Sequence, residues 1–83
     1  MTDEVLTAEE IAKHYSAMGD SVNLINGIID GSEMVDAEQE DKNDCVDRNV
    51  RHLEIMVAKD FWTTEDMTDA NSAISAGQTY LEE

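Results

Sequence analysis

The chain has 83 residues, twenty acidic against five basic, for a formal charge of −15, with 41% apolar residues, one cysteine and no proline. That length suits one domain with a modest core, and that charge excludes attraction to a nucleic-acid backbone or an anionic membrane. A lone cysteine excludes an intramolecular disulfide framework, and no run approaches the roughly eighteen apolar residues of a membrane span.

The first ten residues, MTDEVLTAEE, carry acids where an export signal carries bases, so a cytoplasmic protein is expected. Thr7 and Glu10 have capping-box spacing, which predicts a helix start. Beyond it Ile11, Tyr15, Met18, Val22, Ile25 and Ile29 recur at steps of four and three, with Leu24 and Ile28 widening the stripe. Gly19 and Gly27 lie inside this pattern, suited to a kink or a close helix approach, and Gly31 suits a left-handed helix end. The first helix is therefore expected over 7–30.

Residues 32–39 form a connection, with Asp36, Asp41 and Asn43 as alternative caps for the next helix. The strongest pattern in the chain follows, in NDCVDRNVRHLEIMVAKDFW. Val46, Val50, Leu53 and Val57 form an apolar stripe flanked by Cys45 and Met56, while Asp44 faces Arg48 and Asp47 faces Arg51 at i,i+4. A second helix over 36–60 is expected, with Lys59 in its last turn and Phe61 and Trp62 closing it. Thr63-Thr64 followed by Glu65-Asp66 is an N-cap signal for a third helix over 64–79. Its face is Met67, Ala70, Ile74, Gly77 and Leu81, with Ala73 and Ala76 adding helix propensity more than buried area. The fold class is all-α: an antiparallel hairpin of two long helices plus a shorter third, a three-helix bundle in one domain over 1–83.

Chemistry-bearing residues are sparse. His14 and His52 have Ile11 and Asn49 three positions before them, so neither belongs to a Glu-x-x-His metal motif, and both read as surface histidines. Cys45 and His52 stand about 10 Å apart along one helix, too far for a nucleophile and its base, and Cys45 reads as a small apolar seam residue. The segment DAEQEDKNDCVD has the acid density of a calcium loop. It has Asp41 where that loop needs glycine and Asp47 where it needs glutamate. No metal and no cofactor is expected, and no nucleophile, base and oxyanion set can be assembled, so an enzyme is not expected.

If the acidic segment is helical, Asp36, Glu40, Asp44 and Asp47 form a stripe about 16 Å long with neighbours about 5–6 Å apart. That spacing is comparable to the charge density of a nucleic acid. These four are the candidate partner-binding residues, against the plainer reading of solvated carboxylates. Met18, Met34, Met56 and Met67 with Phe61 and Trp62 serve either a core or an adaptable contact surface, with Met34, in the connection, the exception to core filling. A first helix longer than the third can cover leaves seam for a second copy, so a homo-oligomer is expected.

Residues 44–77, DCVDRNVRHLEIMVAKDFWTTEDMTDANSAISAG, resemble the C-terminal part of short acidic proteins of marine bacteriophages, chiefly in RNVRHLEIMVAKDFW and TTEDMT. The resemblance implies a phage protein made in the bacterial cytoplasm, with the virion as a further destination, and carries no catalytic residues. It favours an inhibitor of a host protein or a small assembly component. The expected function is a non-enzymatic, acidic protein-interaction module whose partner is a basic nucleic-acid-binding host protein, met by nucleic-acid mimicry. It contacts no nucleic acid directly and no membrane. The alternative is a structural component of a phage particle that assembles through helix–helix oligomerisation.

Overall fold

Thr7 starts the first helix as its spacing to Glu10 predicts. Its hydroxyl accepts from the Glu10 amide at 3.1 Å, and the Glu10 carboxylate accepts from the Thr7 amide at 3.0 Å. The computed structural model describes residues 7–62 and 65–82, which form three helices: α1 (Ala8–Asp30), α2 (Gln39–Val57) and α3 (Thr68–Glu82). No strand occurs among the described residues. Each helix packs on the other two, giving an all-α three-helix bundle 42 Å long and 20 Å across.

α1 ends on Gly31, whose φ of 89° is the left-handed conformation expected of a C-cap. The connection then differs from expectation. Met34 also takes a positive φ, 53°, and the Ala37 amide donates to the Met34 carbonyl, so residues 34–37 close a turn. That turn contains Asp36, so α2 starts at Gln39 instead of 36. None of the expected caps is used: Glu38 is the N-cap residue, without a side-chain cap bond. Met34 packs against the core from this turn, so its side chain belongs to the core and not to a free loop.

α2 ends at Val57, short of the expected 60, so Lys59 lies beyond its last turn. The reason is that the Met56 carbonyl is taken twice, by the Lys59 amide at 3.1 Å and by the Trp62 indole N–H at 2.7 Å. Phe61 and Trp62 therefore fold back over the bundle instead of continuing the helix. α3 starts at Thr68 instead of 64. There Asp66 Oδ1 accepts from the Thr68 amide and hydroxyl. The expected Thr63-Thr64 cap lies outside the described residues.

Direction follows from the cross-helix contacts. Ser21 meets His52, whereas Ile25 and the pair Val46 and Val50 all approach Gly77, so α1 and α2 are antiparallel; Tyr15 bonds Asp66 just before α3 while Ile25 lies near Gly77 toward its end, so α3 runs with α1. The buried apolar core is Met18, Ile25 and Ile28 from α1, Val46, Val50, Leu53 and Met56 from α2, and Ala70 and Ala73 from α3. Full burial of a side chain such as Ile25 or Leu53 contributes about 1.5–3 kcal/mol.

The seam of α1 is rotated from the expected one. Ser21 is buried at 5% exposure, whereas Ile29 is 40% exposed. Ser21 tolerates burial because its hydroxyl is hydrogen-bonded to His52. At Gly77 the helices approach closely, since a Cβ there would overlap Val50 Cγ2 and lie 3.3 Å from Val46 Cγ1. Gly27 instead faces the Ser32–Glu33 turn, and a Cβ on Gly19 would meet nothing within 4 Å, so neither glycine is required by a neighbouring helix. Ala73, expected to add helix propensity more than buried area, is a core residue because it lies on the α3 face turned inward.

Candidate functional site

Three of the four candidate partner-binding carboxylates share the outward side of α2. Val46, Val50, Leu53 and Met56 fix the buried side of this helix, which turns Glu40, Asp44 and Asp47 away from the core. From Glu40 to Asp47 they span about 10 Å of helix. Asp36 is not among them. It sits in the turn before α2 and does not continue the row, so the expected four-residue stripe is shortened.

The row is also partly neutralised. Arg48 Nη2 lies 2.7 Å from Asp44 Oδ2, and Arg51 Nε lies 3.1 Å from Asp47 Oδ2, the i,i+4 pairs read from the sequence. Asp44 and Asp47 remain 62% and 41% exposed, so these pairs contribute little to folding and leave both carboxylates reachable. Asp41 and Glu54 extend the acidic surface along the exposed side of α2, and Glu54 accepts from Gln78 Nε2 of α3 at 3.0 Å. Ile55 stands exposed near the C-terminal end of the helix.

The histidines are more engaged than the sequence reading allows. His52 is half-buried, with Nδ1 2.9 Å from Ser21 Oγ. The distance suits a base and a hydroxyl nucleophile, but the hydroxyl is buried and no carboxylate hydrogen-bonds to the imidazole among the described residues. The pair links α1 to α2. His14 is exposed and stacks obliquely on Phe61, with centroids 5.7 Å apart. Beside it Tyr15 meets Trp62 edge-on at 6.0 Å, and the Tyr15 hydroxyl donates to the Asp66 carbonyl at 2.8 Å. Phe61, Trp62 and Asp66 thus pack on the N-terminal half of α1.

Cys45 is a half-buried free thiol whose sulfur lies 3.5 Å from Asn49 Nδ2 and which packs beside the core. Most of the calcium-loop-like segment is helical, from Gln39 onward. Among the described residues no three acidic, histidine or cysteine side chains converge as metal ligands, and no helix is long and apolar enough to cross a membrane. A shallow depression beside Ile29 is bounded by Ser72, Ser75, Ala76, Thr79 and Tyr80 and contains no charged group.

Three carboxylates are held below the usual range. Glu10 is lowered first by the Thr7 backbone amide and then by its hydroxyl. Asp30 is lowered by the Ser32 hydroxyl and amide, and Asp66 by those of Thr68. All three sit at turns or helix ends, outside the α2 row. Comparison with models of protein families, with curated proteins and with solved structures finds no match for this chain.

Proposed function

We propose that the chain is a non-enzymatic, acidic interaction module that binds and inhibits a basic, nucleic-acid-handling protein through the outward side of α2. The carrying observation is that Glu40, Asp44 and Asp47 project from one rigid helix while its opposite side is buried, so the charges are preorganised without any cost in core packing. Carboxylates spaced a turn apart suit a groove that accepts phosphates, although two intrahelical arginine pairs must open or be accommodated. Exchange of those arginines to acids of the partner is compatible with their exposure. In keeping with the resemblance over residues 44–77, the reading takes the protein as phage-encoded and its partner as a protein of the bacterial host.

The test is capture from bacterial lysate by the immobilised chain, with increasing duplex DNA as competitor. The expected result is retention of a nucleic-acid-binding protein that DNA displaces. A purified chain that forms a fixed ring or sheath by light scattering and retains no host protein would instead favour the assembly role.

A further inference from the structure

We propose that the cleft between α1 and the start of α3 receives an arginine side chain of the basic partner, an assignment that rests on the partner reading above. The cleft encloses about 200 Å³ and is lined by Tyr15, Met18, Gly19, Val22, Asn23, Asp66, Asp69 and Ala70. On α1 its residues recur at i, i+3, i+4, i+7 and i+8, so they form one side of the helix, with the first turn of α3 as the facing wall.

The chemistry of the walls is graded. Met18 and Ala70 are buried and Val22 half-buried, giving an apolar floor for a methylene stem. Tyr15, Asn23, Asp66 and Asp69 are exposed around it, with an aromatic ring, an amide and two carboxylates, of which that of Asp66 also accepts from Thr68, and among the described residues no lysine, arginine or histidine lines the cleft. A planar cation on an apolar stem matches this set: the guanidinium stacks on an aromatic ring and donates to carboxylates. Two wall positions are fixed in advance, since the Tyr15 hydroxyl holds the Asp66 carbonyl and Thr68 holds the Asp66 carboxylate.

Gly19 supplies an observation independent of charge. It lies mid-helix, where glycine costs about 0.5–1 kcal/mol relative to alanine, and a Cβ there would meet nothing within 4 Å. Packing therefore does not require it. It lines the cleft, and glycine there leaves that part of the wall without a side chain.

The probe is ethylguanidinium, titrated into the full chain and followed by backbone amide resonances, with ethylurea as its neutral counterpart of similar shape. Saturable shifts confined to Gly19, Asn23, Asp69 and Ala70, absent with ethylurea, are expected. Gly19→Leu should weaken binding by at least about tenfold, roughly 1.4 kcal/mol, with helicity unchanged. Asp69→Asn should weaken it about threefold, the scale of an exposed charge pair. Equal response to ethylurea, or shifts spread unsaturably over the acids of α2, would overturn the assignment, as would undiminished binding in Gly19→Leu. A cleft indifferent to ethylguanidinium in a protein that still captures its partner overturns this inference alone. A cleft that binds ethylguanidinium in a protein that captures nothing supports the cleft and removes the partner reading.

Discussion

Ser21 on α1 and His52 on α2 meet at 2.9 Å, and this contact satisfies the hydroxyl that the rotated α1 seam buries. A hydroxyl both donates and accepts, so either imidazole tautomer keeps the bond. Ser21→Ala should destabilise the fold by about 1 kcal/mol. A double-mutant cycle with His52→Ala should return a coupling of about 0.5–1.5 kcal/mol. Urea unfolding measures both, and additivity of the two substitutions would show that the contact is incidental.

The glycines predict effects of opposite sign. Gly77→Ala forces a methyl into Val50 Cγ2 at the meeting point of three helices, an overpacking expected to cost about 1–3 kcal/mol. Gly19→Ala adds its methyl to open space and should stabilise by about 0.5–1 kcal/mol. Thermal unfolding of the two variants should therefore move in opposite directions. A gain in both would mean that Val50 yields freely.

Trp62 joins the end of α2 to the side of α1, through its indole on the Met56 carbonyl and its edge contact with Tyr15. Trp62→Phe keeps an aromatic ring but leaves the Met56 carbonyl with the Lys59 amide alone, with a cost of about 0.5–1.5 kcal/mol for the bond lost. As the only tryptophan, residue 62 also reports its own release. In mild urea its fluorescence should change before helical circular dichroism does. Coincident transitions would place this segment in the same cooperative unit as the helices.

Glu10, Asp30 and Asp66 have folded pKa values below their unfolded ones. Their contribution is therefore present above the unfolded carboxylate values, near about 4, and is lost as pH falls through the lower folded values. Removing the Thr68 hydroxyl in Thr68→Ala should raise the Asp66 carboxyl toward its ordinary value. Side-chain carbon chemical shifts across an acid titration check this, and an unmoved Asp66 would show that the hydroxyl is not the cause.

Helix number and the buried side of α2 were legible because Val46, Val50, Leu53 and Met56 announce themselves at helical spacing. The start and end of α1 were equally legible, since Thr7, Glu10 and Gly31 act through local hydrogen bonds and backbone conformation. Ser21 was not, because a polar residue enters a core only when a distant chain segment satisfies it. Ends fixed by tertiary contacts were missed for the same reason: Trp62 stops α2 from beyond the helix, and the turn at Met34 removes Asp36 from the acidic row. Of the candidate site, three positions shared a side as expected, and the cleft around Gly19 left no trace in the pattern because it needs α3 as its second wall.

The central claim is that recognition resides in the placement of charge on α2 and not in the total charge. It is tested most directly by binding of the captured partner to two variants matched in net charge: Glu40→Gln with Asp44→Asn and Asp47→Asn, and Glu9→Gln with Glu33→Gln and Asp60→Asn. The account predicts that the first variant loses the partner while folding normally, and that the second retains it. Equal loss in both, or retention by the first, would contradict it.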